Sequence, residues 1–149
     1  MLMAASVGSM RQISSLAAGR DDAHGAVGNG WQMHIEGAMG ELAAAKAMGR
    51  FWSGTINSFG GADMGVKVQV RTRSNHDYDL IVRDNDLDDH LFVLVTGEAP
   101  EYRVRGWLSG SEAKRDCWRK SPNGRPAAWF VPASALHPIV TLLAAEEFA

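Results

Sequence analysis

Apolar residues recur at helical spacing between Trp31 and Gly49, in the segment WQMHIEGAMGELAAAKAMG. The recurring positions are Trp31, Ile35, Ala38, Leu42 and Ala45. This spacing predicts an amphipathic helix that ends at Gly49, a residue suited to a helix C-cap. Gly37 and Gly40 lie inside the helix, where each costs roughly 1 kcal/mol relative to alanine. A helix that accepts this cost is predicted to bring its backbone close to another element, such as a sheet. Glu41 lies beside this slim face.

Polar and apolar positions then alternate strictly in VKVQVRT, residues 66–72. Valines and Thr72 share one face, and the other face carries Lys67, Gln69, Arg71 and then Arg73. The alternation predicts a strand. Asp63 precedes Gln69 by only six residues, which predicts a tight hairpin around Gly65.

Further segments show strand or helix patterns. Predicted strands lie at 50–59, 78–82, 91–97, 101–110 and 127–131, and LFVLVTG (91–97) is apolar enough to be the central strand. SEAKRDCWRK predicts a short helix that starts at Ser111, and residues 132–149 predict a turn and a C-terminal helix. The pattern is that of an α+β protein. We expect a flexible or loosely helical segment at 1–30, a domain at 31–138 and a C-terminal helix or tail at 139–149.

Composition narrows the class of protein. The length of 149 residues suits one domain, and no apolar run is long enough to cross a membrane. Cys117 is the only cysteine, which excludes an intrachain disulfide and a cysteine-based zinc cluster. We therefore expect a soluble protein in a reducing cytoplasm. The net charge of −2 argues against indiscriminate coating of nucleic acid, although residues 101–126 hold seven Lys/Arg against three Asp/Glu.

The acidic segment after the third predicted strand imitates a calcium loop. Asp84, Asp86 and Asp88 occupy the first, third and fifth positions, but Asp89 replaces the required glycine and Val95 falls at the twelfth position. A solvated hairpin turn is the better prediction.

Glu41, Asp63, Gln69 and Arg71 are the candidates for chemistry. Phosphodiester hydrolysis needs a divalent cation on hard oxygen ligands and positive charge near the reacting phosphate. Asp63 and Glu41 offer carboxylates, Gln69 offers an amide oxygen, and Arg71 lies two residues further along the same strand face. By spacing alone, the alternative is that Gln69 and Arg71 decorate a solvent face and Glu41 is an ordinary helix residue.

Three segments, GAMGELAAAK, GGADMGVKVQVRT and LFVLVTG, resemble the PD-(D/E)XK nuclease superfamily. More narrowly, the chain is similar to small nuclease-like, Holliday junction resolvase-like proteins of phages and prophages, from about Trp31 to Pro138. The resemblance implies a restriction-endonuclease-like core, with a helix followed by a mixed central sheet with flanking helices. Glu41 matches the family's helix glutamate and Asp63 its aspartate, while Gln69 and Arg71 stand at its acidic and lysine positions.

The resemblance implies a Mg²⁺- or Mn²⁺-dependent DNA nuclease of a bacterial host's cytoplasm, with metal ligands Glu41, Asp63 and Gln69. Gln69 brings no charge to the metal, and Arg71 stays protonated, so it is a poor partner for deprotonating water. Lys67 points to the same face and is a candidate substitute. The candidate DNA-binding residues are Arg73, Arg103, Arg105, Lys114 and Arg115. The alternative is a protein of this fold that has lost catalysis and binds DNA or serves as a phage accessory or structural component. A homodimer is compatible with either.

Overall fold

The computed structural model describes residues 1–19, 30–56, 62–65 and 67–147. The helices are α1 (Leu2–Ala17), α2 (Gly30–Ala47), α3 (Gly110–Ala113) and α4 (Leu142–Glu147). The strands are β1 (Val68–Arg73), β2 (Leu80–Val82), β3 (Leu91–Glu98), β4 (Glu101–Ser109), β5 (Arg119–Lys120) and β6 (Ala128–Val131). The chain is therefore an α+β protein, as predicted.

The described strands form two small sheets, where the sequence predicted a single mixed one. In the first sheet, of order β1-β3-β4, β3 runs parallel to β1 and antiparallel to β4. The second sheet, of order β2-β6-β5, is antiparallel. The short strand β2 pairs with the late strand β6, so the sequence neighbours β1 and β2 belong to different sheets.

Strand β3 is the centre of the fold, as its apolar run predicted. Every residue from Leu91 to Gly97 is buried. Val93 and Val95 belong to a core cluster shared with α2, whereas Phe92 and Leu94 pack into a second cluster with β2 and β6. Because side chains alternate along a strand, β3 supplies one wall of each core.

Helix α2 lies very close to the first sheet at Gly40. A Cβ atom at this position would lie 1.9 Å from Thr72 Oγ1 on β1. The predicted close approach is thus confirmed at Gly40, whereas a Cβ at Gly37 meets no described atom within 4 Å. The predicted C-cap is also present, since Gly49 has a φ of +64°.

Two predicted elements differ. Residues 51–56 of the predicted strand at 50–59 contain no strand, and 57–59 lie outside the described residues. The predicted helix from Ser111 is instead the four-residue α3, whose N-cap is Ser109 in a capping box with Glu112. Within the described part of the chain, no helix is both long and apolar enough to span a bilayer.

Candidate functional site at the edge of strand β1

Asp63 lies along the outer edge of β1. Its backbone N–H donates to Val68 O at 2.8 Å, and its carboxylate Oδ2 accepts from the Val70 N–H at 2.6 Å. The neighbouring Lys67 carbonyl accepts from Leu91 on the β3 side, so Val68 and Val70 direct their backbone groups away from β3. The chain reverses at Gly65, whose φ is +61°, and this confirms the predicted tight turn.

Glu41 approaches this edge from α2 and is buried. Its carboxylate receives a two-pronged contact from the Arg11 guanidinium, with Nη1 2.5 Å from Oε1 and Nη2 2.9 Å from Oε2. The Trp52 indole N–H donates to Oε2 at 3.1 Å. Three donors therefore fix the orientation of this carboxylate, as a buried charge requires.

The two carboxylates are close enough for their charges to interact. Burial, followed by the negative charge of Glu41, raises the pKa of Asp63 to about 6 from its ordinary value of 3.8. The Val70 N–H, Arg71 and Arg11 act in the opposite direction. Burial disfavours charge on Arg11, but the Glu41 hydrogen bond and the charges of both carboxylates leave the pKa of Arg11 raised. Asp63 is thus an acid poised near neutrality, a property typical of functional sites.

Arg71 lies on the face of β1 away from α2. Val68 and Val70 pack into the core cluster with α2, whereas the Arg71 guanidinium lies 5.1 Å from the centroid of the Phe92 ring. Alternation places Gln69 on the same face as Arg71. The structure thus brings Glu41, Asp63 and Arg71 together around one strand edge, with Glu41 on the helix side and Gln69 on the Arg71 side.

The aspartates between β2 and β3, which we call the acidic turn (residues 84–89), are held by basic side chains. The four ion pairs are Asp84–Arg119 at 2.9 Å, Asp86–Arg71 at 2.7 Å, Asp88–Lys114 at 2.6 Å and Asp89–Lys67 at 3.1 Å. The prediction of a solvated turn is confirmed, since most of these residues are exposed, but the turn does not close a hairpin, because β2 and β3 belong to different sheets. Its carboxylates instead contact the β1 segment at Lys67 and Arg71, and also Lys114 and Arg119. Lys67, Arg71 and Lys114, which we predicted to serve catalysis or DNA binding, all contact this turn.

The remaining predicted DNA-binding residues are spread over the molecule. Arg73 donates to the Asp79 carbonyl at 2.7 Å, and burial lowers its pKa. Arg103 and Arg105 are exposed on β4, and the exposed Arg115 lies over the Trp118 ring at 5.2 Å. Arg73 thus shares the Arg71 face of β1, whereas Arg103 and Arg105 lie on β4 and Arg115 follows α3.

The residues at the strand edge suit a divalent cation by their chemistry. Mg²⁺ prefers carboxylate and carbonyl oxygens, and Glu41 and Asp63 are two carboxylates whose mutual repulsion a cation would relieve. Among the described residues, no group of three or more His, Cys, Asp and Glu side chains is arranged to hold a metal ion. A site here would consist of the two carboxylates, and the Gln69 amide, the third ligand that the sequence predicted, would have to reach it around the strand edge from the opposite face of β1.

Arg11 and Trp52 were not predicted as site residues. Arg11 is the one Lys, Arg, Asp or Glu residue among positions 1–19. A single charge among small and apolar residues is the sequence signal that could have indicated a buried, oppositely charged partner. Trp52 was assigned to a strand on its aromatic character, but it is buried with its indole N–H on Glu41.

No protein-family model, curated protein sequence or solved structure matches this chain.

Proposed function

We propose that this chain is a metal-dependent nuclease that hydrolyses DNA phosphodiester bonds, with a restriction-endonuclease-like core of the phage type. The proposal is supported by the positions of Glu41, Asp63 and Arg71. These residues lie at one strand edge, although they are far apart in the sequence. In the resemblance, Glu41 and Asp63 match acidic residues of the superfamily motif, and Arg71 stands at its lysine position. In chain order α2 is followed by β1, β2, β3, β4 and the four-residue α3; β1, β3 and β4 form one sheet, while β2 pairs with β6 in the other.

In this proposal each residue has a distinct role. Glu41 and Asp63 would hold a Mg²⁺ or Mn²⁺ ion, with Gln69 as an uncharged further ligand. The bound ion would polarise a phosphoryl oxygen and lower the pKa of an attacking water. Arg71 remains protonated, so it stabilises the negative charge that develops on the phosphate and does not act as a base. Trp52 keeps the Glu41 carboxylate in one orientation.

The test is a cleavage assay on labelled duplex, single-stranded and branched DNA with Mg²⁺ or Mn²⁺. We expect cleavage by the wild type and loss of at least about 100-fold in rate for Glu41→Gln and Asp63→Asn. Glu36→Gln is the matched control on the same helix, because Glu36 pairs with the Tyr102 hydroxyl outside the site. The proposal fails if the wild type cuts none of these substrates, or if both site variants cut as fast as the wild type.

A second function is favoured by the pairing of Lys67 and Arg71 with the acidic turn. Lys67 and Arg71, two of the three cations of this strand face, already contact carboxylates, as they would in a DNA-binding or phage accessory protein that has lost catalysis. Calorimetry with Mn²⁺ and with duplex DNA separates the two functions. DNA binding without Mn²⁺ binding would support the non-catalytic protein, and Mn²⁺ binding that Asp63→Asn abolishes would support the nuclease.

A further inference from the structure

Arg11 occupies the carboxylate that the proposed function assigns to a metal ion. Both Glu41 oxygens contact its guanidinium, and the Arg11 Nε–H also donates to the Thr55 carbonyl at 2.9 Å. The Arg11 and Glu41 side chains are only 16% and 8% exposed. Arg11 therefore supplies positive charge from inside the chain at the position where a nuclease of this type needs a cation.

The packing of α1 against α2 fixes Arg11 in this place. At Gly8 the two helices touch so closely that a Cβ would lie 2.5 Å from Ile35 Cα. Arg11 is one turn further along, on the same side of α1. Ala4 and Val7 are buried in the core cluster shared with α2, so α1 is also anchored in the turn that precedes the contact at Gly8.

The Arg11 guanidinium and a divalent cation compete for the Glu41 carboxylate, because both are positively charged. Two positive groups cannot share the Glu41 oxygens at contact distance without strong repulsion. A divalent ion held by Glu41 and Asp63 would neutralise two carboxylates, whereas Glu41 is the one carboxylate that Arg11 contacts directly. The ion therefore interacts more favourably with the two carboxylates than Arg11 does, and Arg11 neutralises Glu41 when no ion is present.

We propose that Arg11 is an internal counterion that exchanges with the divalent cation at Glu41. It holds the carboxylate in the metal-free protein and leaves when the ion binds, so that α1 limits the affinity of the site for metal. This inference rests on the proposed function, because it concerns the same metal site.

Calorimetric titration with Mn²⁺ tests the competition. We expect Arg11→Gln to bind Mn²⁺ at least about tenfold more tightly than the wild type, equivalent to about 1.4 kcal/mol. Arg119→Gln is the matched control, because it also removes an arginine from a two-pronged contact with a carboxylate, here that of Asp84. The affinity of this variant for Mn²⁺ should equal that of the wild type. A purely structural Arg11 would give unchanged or weaker binding in Arg11→Gln, and this result overturns the exchange while leaving the metal site in place. Absence of Mn²⁺ binding in wild type and Arg11→Gln alike overturns the metal-dependent function together with the exchange.

Nuclear magnetic resonance on the wild-type protein provides a test that does not depend on the folding of a variant. The Arg11 Nε–H donates to the Thr55 carbonyl, and its resonance, assigned through its absence in Arg11→Gln or by side-chain correlation, reports whether the guanidinium stays in place between Thr55 and Glu41. We expect it to shift on saturation with Mg²⁺, and to be insensitive to Mg²⁺ in Glu41→Gln. An unchanged resonance in wild-type protein that binds Mg²⁺ by calorimetry overturns the exchange.

Discussion

The raised pKa of Asp63 makes this residue a source of instability at neutral pH, and Asp63→Asn is expected to stabilise the protein. The half-buried carboxyl lies beside Glu41, so its ionised form is disfavoured in the folded protein. Asparagine resembles the protonated form in shape and charge. Its amide oxygen can still accept the hydrogen bond that the Val70 N–H donates to Asp63 Oδ2.

The magnitude follows from the pKa. Asp63 rises from 3.8 to about 6 on folding. Each unit is equivalent to about 1.36 kcal/mol, so the ionised carboxylate costs the folded state about 3 kcal/mol above pH 6. Because the folded pKa is above the unfolded one, the protonated carboxyl contributes its full stabilisation below about pH 4 and loses it as the pH rises through 6.

Urea denaturation at several pH values between 4 and 8 measures this effect. At pH 8 the free energy of unfolding of Asp63→Asn should exceed that of the wild type by up to about 3 kcal/mol, and the difference should close near pH 4. Asp84→Asn is the control, because its exposed ion pair with Arg119 should change stability by less than about 1 kcal/mol. The reasoning is refuted if Asp63→Asn is no more stable than the wild type at pH 8, or if the difference between them does not depend on pH.

Three further predictions concern the surroundings of the site. Gly40→Ala should destabilise the protein by about 2 kcal/mol or more, because the added Cβ would clash with β1. Gly37→Ala should stabilise it by up to about 1 kcal/mol, because a Cβ there meets no described atom. Urea denaturation measures both effects, and equal effects of the two substitutions would contradict the close approach of α2 to β1. Replacing Asp86 and Asp89 together by asparagine should tighten the binding of labelled duplex DNA roughly threefold to tenfold, because Arg71 and Lys67 become available to phosphates. Fluorescence anisotropy measures this affinity, and unchanged or weaker binding would contradict the prediction that the acidic turn competes with DNA. Glu112→Gln should lower the free energy of unfolding by less than about 1 kcal/mol at pH 7, because the side chain is 37% exposed and solvent screens its interactions. Burial raises the pKa of this carboxyl, but the hydrogen bonds with Ser109 and His137 outweigh it and leave the pKa lowered. The loss should shrink as the pH falls towards 4, and a loss independent of pH would exclude this origin.

Local patterns in the sequence predicted the elements that carry the candidate site. The apolar run LFVLVTG identified the buried central strand β3, and the alternation at 66–72 separated the two faces of β1. Gly40 indicated the close approach of α2, because a glycine in a helix interior has a local cost that packing must offset. These features depend on side-chain periodicity or backbone conformation over a few residues, which a sequence displays directly.

Features that depend on distant contacts were missed. Arg11 reaches Glu41 across 30 residues, and no periodicity connects them. Trp52 has the β-propensity of an aromatic residue, but that preference reflects packing on a sheet face, and here the indole packs beside α2 instead. The pairing of β2 with β6 likewise joins segments separated by nearly 50 residues, so the second sheet was not apparent from local patterns.

The acidic turn has a consequence for how this protein would respond to salt. When a lysine or arginine leaves an aspartate for a DNA phosphate, the phosphate releases a condensed counterion, but the abandoned carboxylate attracts cations from solution. The net release of ions per contact is then smaller than for a basic side chain that starts in water. The logarithm of the binding constant should therefore fall with the logarithm of salt concentration less steeply than about 0.9 per phosphate contact. Binding to DNA would in this way be buffered against changes in ionic strength.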